Sequence, residues 1–291
     1  WMVMTGPSIA IQNAKKTMNN LVVLTEDMLK KSNHVQQVEN AFRHALEKEE
    51  FRPFLQPKVN MVNGEIVGAE VLSRWLVDGS VVPPDEFIPI LEQTREIAEL
   101  DLYILERACR EIKRWYDAGI KVVPLSVNIS RKDLDLPDLS GRIIDTIDRY
   151  AVNHRDLVIE ITETENAREN SVMMDFLREL ADAGIRTSID DFGTGYSSLS
   201  FLRDFPVGEI KIDRSFINHQ VIRDKDRIII GSIIDMAARL GVDVITEGVE
   251  TKEQVAFLTE LHCYRAQGFL YDRPLPVDQF EKRLSEGPYR I

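Results

Sequence analysis

The sequence predicts a TIM-like (β/α)8 barrel in which one strand runs antiparallel to its neighbours. Short apolar runs alternate with amphipathic helical segments along most of the chain, at spacings of roughly 30 residues that are typical of β-α crossovers. About eight strands and eight helices can be counted, which is the number in a closed barrel. The first two runs are joined through Asn63-Gly64, and a tight turn can join only antiparallel strands.

The N-terminal part of the chain departs from this alternation. Residues 1–32 are predicted to form a short α/β or helical appendage and residues 33–291 the barrel, because the appendage, with LVVL at 21–24, cannot bury its own faces. It is a candidate remnant of an upstream regulatory domain. A helix is predicted from Asn33, with Ser32 or Asn33 as its cap, because apolar residues then recur every three or four positions. These residues are Val35, Val38, Ala41, Phe42, Ala45 and Leu46.

The remaining elements follow in a regular order, and Gly119, Gly184 and Gly241 mark the ends of three helices. Strands are predicted at 51–60, 65–72, 122–128, 156–162, 185–190, 209–213, 242–248 and 265–270. Helices are predicted at 85–99, 101–118, 131–150, 169–183, 196–204, 224–240, 251–261 and from 277.

Composition excludes several classes of protein. The net charge of −12 argues against binding to nucleic-acid polymers or membrane surfaces, which are anionic, although metal ions could still bring a phosphate ligand to an acidic protein. Cys109 and Cys263 stand far apart, as expected of reduced core thiols in a cytoplasmic protein. No apolar run is long enough to span a membrane, and the five histidines show no zinc-site spacing.

Polar residues follow the apolar runs of six or more predicted strands. Parallel strands bring their C-terminal ends to one rim, where several carboxylates cannot all stay ionised without a compensating charge. An oxygen-only ligand set suits Mg²⁺ or Mn²⁺, and further carboxylates would allow a second ion. The residues are Glu70, Asn128, Glu160, Thr162, Glu163, Asp190, Asp191, Lys211, Asp213, Glu247, Glu250 and Gln267.

Each of these residues also has a purely structural interpretation. A single acid at a strand end is commonly a cap or a solvated loop residue, so Asp190 could cap the following turn while Asp191 is solvated. Lys211 could form a minor ion pair. In regular strand geometry Asp190 and Asp191 would point in opposite directions, so a ligand that contacts both must lie over the strand end. The joint pattern favours the metal site, because unpaired buried charge costs several kcal/mol per ion.

Eight sequence motifs occur in order along residues 37–286. They are FLQPKV (54–59), AEVLSRW (69–75), SVNIS (126–130), EITET (160–164), IDDFGTGYSSL (189–199), IKIDRSFI (210–217), ITEGVET (245–251) and AQGFLYDRPLP (266–276). Together they resemble the EAL-domain family of cyclic di-GMP phosphodiesterases. Val71 gives EVL instead of EAL, and Phe269 gives QGF where QGY is common. Neither departure removes a candidate ligand, since Val71 faces away from Glu70 on a strand.

The resemblance implies hydrolysis of one phosphodiester of cyclic di-GMP to linear pGpG with Mg²⁺ or Mn²⁺, and inhibition by calcium. It implies a first metal held by Glu70, Asn128, Glu160 and Asp190, and a second held by Asp190, Asp191 and Glu247. Lys211 would contact the attacking water, and Glu247 would be the general base of one-metal accounts. The implied catalytic residues are thus Glu70, Asp191, Lys211 and Glu247.

The resemblance also implies substrate contacts and an assembly. Gln56, Arg74, Asp213 and Gln267 are the expected substrate-binding residues, and Glu163 would anchor the loop after the fifth strand. That loop, with Gly193 and Gly195, would act as a hinge between a homodimer contact and the second metal site. A cyclic di-GMP receptor without activity and another metal-assisted reaction, such as enolisation, are the alternatives.

Overall fold

The computed structural model describes residues 26–162, 167–193, 202–203, 205–217 and 224–290. The helices are α1 (Glu26–Glu47), α2 (Pro84–Thr94), α3 (Ile97–Ala118), α4 (Leu139–Arg149), α5 (Ala167–Asp182), α6 (Asp224–Leu240), α7 (Lys252–Glu260) and α8 (Val277–Ser285). The strands are β1 (Phe51–Asn60), β2 (Ile66–Val77), β3 (Ser80–Val82), β4 (Leu125–Asn128), β5 (Leu157–Thr162), β6 (Arg186–Phe192), β7 (Glu209–Ile212), β8 (Asp243–Thr246), β9 (Arg265–Gln267) and β10 (Leu275–Pro276).

Eight of these strands close into the predicted barrel, in the order β1-β2-β4-β5-β6-β7-β8-β9 and back to β1. Strand β1 is antiparallel to β2 and to β9, and every other neighbouring pair in the ring is parallel. Strands β3 and β10 pair outside the ring with β2 and β1. The prediction of one reversed strand is therefore confirmed.

The turn between β1 and β2 explains why the reversal occurs there. Gly64 has a φ of 74°, a conformation that side chains with a Cβ rarely adopt. A Cβ at this position would also lie 2.1 Å from the carbonyl oxygen of Tyr289, so the C-terminal segment closes over the turn only because Gly64 has no side chain. The Asn-Gly signal thus determines both the hairpin and a tertiary contact.

The core lies between the barrel and its helices. Helix α3 is the clearest case, because its inward face is apolar at helical spacing while its outward face carries charge. Each large apolar side chain that is fully buried contributes about 1.5–3 kcal/mol, and Gly119 ends the helix with a φ of 65°. The buried residues of this face include Ile104, Leu105, Ala108, Ile112 and Trp115. Both cysteines are free thiols buried in the core, as predicted.

Several predicted boundaries are wrong for identifiable reasons. Helix α1 is already formed at Glu26 and runs unbroken through Ser32 and Asn33, so neither residue is a cap. Helix propensity is a weak prior, and these polar residues are tolerated in the helix interior. The division into 1–32 and 33–291 thus falls inside a helix, and it stays a prediction; LVVL lies outside the described residues.

Two other predicted helices are shorter than expected. The helix predicted over 131–150 is a 3₁₀ turn, Arg131–Asp135, followed by α4, because Pro137 cannot continue a helix and restricts the residue before it. The helix predicted over 85–99 ends at Thr94, where Arg95 is left-handed with a φ of 65°. Most of the helix predicted at 196–204 lies outside the described residues.

Candidate metal centre

Most of the predicted site residues form one polar cluster at the rim where the seven parallel strands of the barrel end. The cluster is built from one or two residues of each strand, which is why it could be recognised from strand ends. Its members are Glu70 in β2, Asn128 in β4, Glu160 in β5, Asp190 and Asp191 in β6, Lys211 in β7, Glu247 just after β8 and Gln267 in β9.

Lys211 lies at the centre of this cluster and is fully buried. Its Nζ is 2.6 Å from Glu247 Oε1 and 2.7 Å from Glu160 Oε2. It is also 3.2 Å from Glu70 Oε2 and 3.2 Å from Asp190 Oδ1. An ammonium has three donors and one charge, so these four carboxylates are left with an excess of negative charge.

The carboxylates form two overlapping groups. Oxygens of Glu70, Glu160 and Asp190 lie within 4.8 Å of one another, and so do oxygens of Asp190, Asp191 and Glu247. Asp190 belongs to both groups. Such spacing lets one hard cation contact each group, although the assignment of these residues as metal ligands stays a prediction.

A bulge in β6 brings Asp190 and Asp191 into the same group. The register between β6 and β7 is interrupted between Ile189 and Phe192, and Asp191 has a φ of 55°. The Asp191 backbone N–H donates to Asp190 Oδ1 at 2.9 Å. The expectation that the two side chains point in opposite directions assumed a regular strand, and the bulge removes that constraint.

The acids of the cluster differ in pKa, because burial and neighbouring charges act on each of them to a different extent. Burial opposes ionisation of Glu160, but Lys211 and Lys58 outweigh it and lower its pKa to about 2. Burial raises the pKa of Asp190 to about 6 and that of Glu247 to about 8, against the opposing effect of Lys211 and with the help of neighbouring acids. Burial also raises the pKa of Asp191, with Asp213 adding to the effect.

Amide side chains hold Glu70 in place. Asn128 Nδ2 donates to Glu70 Oε1 at 2.8 Å, and Gln267 Nε2 donates to Glu70 Oε2 at 2.6 Å. Gln267 also donates to Gln56 Oε1 at 3.0 Å, and Gln56 Nε2 donates to the carbonyl of Asp272 at 3.3 Å. Both glutamines thus connect the C-terminal segment to Glu70, and their contact with substrate stays a prediction.

Two other predicted substrate-binding residues make their hydrogen bonds outside the polar cluster. Asp213 caps the 3₁₀ turn Arg214–Phe216 by accepting from the Ser215 N–H at 2.9 Å. Arg74 donates to the Ser73 carbonyl and lies over the Phe54 ring, with Cζ 5.9 Å from the centroid. Glu163 and Gly195 lie outside the described residues.

A cavity of about 430 Å³ begins beside the cluster, where Arg74, Asn128 and Thr162 form part of its wall. Its walls are mainly apolar and come from β2, α2, α3 and the segment after β4. A size of this order suits a small organic ligand. The apolar lining includes Ile88, Ile97, Leu100 and Ile104, and the polar lining includes Glu92, Asp101, Ser130 and Lys132.

A second pair of acids lies at this cavity. The carboxyl groups of Asp101 and Asp133 influence each other's pKa, and Asp101 Oδ2 accepts from the Ser130 N–H at 2.7 Å. Burial raises the pKa of Asp101 well above its usual range and that of Asp133 to about 6. This pair was not predicted, because both residues belong to helical segments rather than strand ends.

Two charged residues inside the barrel were also missed. Lys58 Nζ lies 2.6 Å from Glu160 Oε1 and 3.0 Å from Glu209 Oε1, and all three side chains are buried. Strand alternation could have found them, because Lys58 shares the inward face of β1 with Gln56 and Glu209 shares that of β7 with Lys211.

Comparison with known proteins agrees with this geometry. The signaling protein YkoW of Bacillus subtilis is 38% identical over 251 residues, which cover 86% of this chain and 31% of YkoW. The bifunctional diguanylate cyclase/cyclic di-GMP phosphodiesterase MucR of Pseudomonas aeruginosa is 36% identical over 238 residues, or 81% of this chain and 35% of MucR. The chain therefore spans about a third of the length of these curated relatives.

A solved structure matches over the same region. The PaMucR phosphodiesterase in complex with c-di-GMP has a TM-score of 0.78 at 36% identity and covers 84% of this chain and 99% of its own. The family model described as EAL domain matches residues 39–274, which include the closed barrel and all the described members of the polar cluster. The chain therefore belongs to the EAL domain family, whose TIM-barrel fold it shares.

Proposed function

We propose that this chain is a metal-dependent cyclic di-GMP phosphodiesterase that hydrolyses one phosphodiester to give linear pGpG. The observation that carries the proposal is the pair of overlapping carboxylate groups that share Asp190 and surround Lys211. The relative MucR is named for this activity, and the PaMucR structure is a c-di-GMP complex. A dianionic dinucleotide also needs positive charge at the rim of a protein with a net charge of −12.

The donor set fits two hard cations such as Mg²⁺ or Mn²⁺. Glu70, Asn128, Glu160 and Asp190 would hold the first, and Asp190, Asp191 and Glu247 the second. Asn128 uses its amide nitrogen on Glu70, which leaves its oxygen for a cation. When bound, the ions supply positive charge that makes water more acidic and offsets negative charge on the phosphoryl oxygens.

The side chains of the cluster perform the rest of the reaction. Water attacks phosphorus as the bond to a ribose O3′ breaks, and the departing oxygen takes up a proton to become the 3′-hydroxyl. With a single ion bound, Glu247 would accept the proton of the attacking water once its carboxylate is ionised. Lys211 Nζ, 2.6 Å from Glu247, orients the water and stabilises negative charge on the phosphoryl group.

The cavity supports a nucleotide substrate. Its apolar walls can pack against the faces of a base, while Arg74 at its edge offers a cation for a phosphate or for stacking. The cavity joins the carboxylate cluster at Asn128. A phosphodiester beside the cluster would therefore lie next to a compartment that can hold the attached base.

Turnover of cyclic di-GMP tests this function directly. Purified protein with Mg²⁺ or Mn²⁺ should convert cyclic di-GMP to pGpG, measured by liquid chromatography, and EDTA should stop the reaction. Glu70→Ala should reduce the rate by at least about 10³-fold, because it removes a ligand and the partner of three polar side chains. Glu47→Ala, which removes an exposed carboxylate at the end of α1, is the matched control.

Two outcomes would contradict the proposal. Robust turnover by Glu70→Ala would show that the assigned cluster is not the active site. Saturable binding of cyclic di-GMP by the wild-type protein, with no product in the presence of either ion, would favour the receptor alternative.

The proposed assembly is separate from this chemistry. We propose a homodimer that pairs near the loop after β6, an upstream regulatory domain joined through α1, and a cytoplasmic location. None of the helices in the described residues has the length and apolar character of a membrane span. Light scattering tests the dimer, and equal activity and dimerisation after deletion of residues 1–32 would count against a regulatory domain joined through α1.

A further inference from the structure

Lys58 provides a second buried ammonium directly beneath the carboxylate cluster. Its Nζ contacts Glu160 Oε1 at 2.6 Å, Ser126 Oγ at 2.6 Å and Glu209 Oε1 at 3.0 Å. Lys58 is 3% exposed and Glu160 is 0% exposed. None of the family motifs assigns Lys58 a role.

The two oxygens of Glu160 are held from opposite sides. Oε2 contacts Lys211, which is in turn surrounded by Glu70, Asp190 and Glu247. Oε1 contacts Lys58, whose other partners, Ser126 and Glu209, belong to neither carboxylate group. One carboxylate oxygen therefore faces the cluster and the other faces the barrel interior.

We propose that Lys58 is a positioning residue that holds Oε1 of Glu160 inside the barrel, so that Oε2 is the oxygen presented to a metal ion. The inference rests on the proposed function, because it takes Glu160 as a metal ligand. A carboxylate held in this way offers one oxygen in a fixed direction. Removal of a residue that orients a metal ligand typically lowers metal affinity by about 10- to 100-fold.

A second carboxylate supports Lys58 inside the barrel. Glu209 gives it a second carboxylate partner, so its charge is balanced on the side away from the cluster. Gly68 faces it across the β1–β2 ladder, and a Cβ there would lie 3.7 Å from Lys58 Cδ and 3.1 Å from the Pro124 carbonyl oxygen. A Cβ at Gly68 would thus be in ordinary van der Waals contact with the lysine stem, and its only tight approach would be to the Pro124 carbonyl oxygen.

Charge and positioning predict opposite effects when Lys58 is removed. If Lys58 acted only as a charge, its removal would strengthen cation binding, because it would no longer repel the ion. If Lys58 positions Glu160, its removal frees the carboxylate to rotate and weakens binding. The sign of the change in Mn²⁺ affinity therefore separates the two roles.

The experiment compares Lys58→Met, Glu209→Gln and the double variant. Mn²⁺ affinity is measured by calorimetry without substrate, and thermal stability is measured in EDTA. Lys58→Met leaves Glu209 buried without its partner and should lower stability, which the double variant should restore. The double variant keeps the wild-type net charge, so any loss of affinity in it reports positioning.

We expect both variants that lack Lys58 to bind Mn²⁺ at least about tenfold more weakly than the wild type. The Mn²⁺ affinity of Glu209→Gln should stay closer to that of the wild type. A double variant that is as stable as the wild type and binds Mn²⁺ equally well or more tightly would overturn the inference while leaving the proposed function intact. A wild-type protein that binds no Mn²⁺ would contradict both.

Discussion

The acids around Lys211 and the Asp101–Asp133 pair are both withdrawn from solvent, yet within the described part of the chain only the first set contacts an ammonium. Glu160, between Lys211 and Lys58, has its pKa lowered to about 2 despite complete burial. Asp133 has its pKa raised to about 6, and burial raises that of Asp101 well above its usual range. The contrast shows that burial keeps an acid neutral unless enough positive charge lies beside it. Two lysines suffice at Glu160, whereas Asp190 and Glu247 contact, among the described lysines, Lys211 alone and still have raised pKa values.

Among the substitutions considered for these two sets of acids, removal of Lys211 should have the largest effect on stability. Lys211→Met leaves four carboxylates without their shared ammonium, so the free energy of unfolding in EDTA should fall by about 3–5 kcal/mol near neutral pH. The loss should shrink in acid, because protonated Asp190 and Glu247 no longer repel their neighbours. Urea unfolding followed by circular dichroism measures both values.

Lys225→Met is the control for this substitution, because Lys225 is an exposed lysine of α6. Equal losses for the two variants would show that the contacts of Lys211 contribute little.

Metal binding should release protons from the acids around Lys211. Since burial raises the pKa of Asp190 to about 6 and that of Glu247 to about 8, the metal-free cluster holds protons near neutral pH. Mn²⁺ affinity should therefore rise as pH increases from about 6 to about 8, by up to about tenfold per pH unit for each proton released. Calorimetry in buffers of different ionisation enthalpy counts these protons.

Two variants test whether the released protons come from the acids around Lys211 or from the Asp101–Asp133 pair. Glu247→Gln should release fewer protons, whereas Asp133→Asn should leave the number unchanged because that acid lies outside the cluster. An affinity that does not vary over this pH range would contradict the raised pKa values.

The smallest effect is expected at the second acid pair. Because the folded-state pKa of Asp133 is raised to about 6, the folded protein binds more protons than the unfolded chain between its usual pKa and that value. Stability should then fall as pH rises through this range, and the cost persists above it. Asp133→Asn removes the cost and should stabilise the protein by about 1 kcal/mol near neutral pH. Thermal unfolding measures the change.

The exposed Asp135 in the same 3₁₀ turn supplies the control. Asp135→Asn should change the stability little, and a wild type whose stability does not depend on pH between about 4 and 6 would argue against a raised pKa at Asp133.

The periodic parts of the fold were predictable because local pattern and tertiary packing agree. Helix α6 was predicted at its observed bounds, since its apolar spacing and Gly241 give the same answer. The C-terminal limit of α2 was not, because nothing local marks the left-handed Arg95. The start of α1 was predicted wrongly because Ser32 and Asn33 resemble capping residues but lie within a continuous helix.

The rim of the site was predictable because parallel strands end together, which brings Glu70, Glu160 and Lys211 into contact. The interior of the barrel was not, because a buried lysine is an exception to the usual apolar core and is recognised only through its partners. Lys58 lies on the reversed strand, where strand-end reasoning does not apply. The bulge at Asp191 was also missed, because bulges depend on pairing rather than on local sequence.

Helix α1 has a geometric consequence for any segment attached to its N-terminal end. Its 22 residues span about 33 Å as a rigid rod, and Val38, Phe42 and Ala45 fix its rotational setting against the barrel. Each residue inserted between Glu26 and Val38 would turn the preceding segment by about 100° about the rod axis. The number of residues in this part of the helix therefore sets the rotational orientation of the preceding segment relative to the barrel.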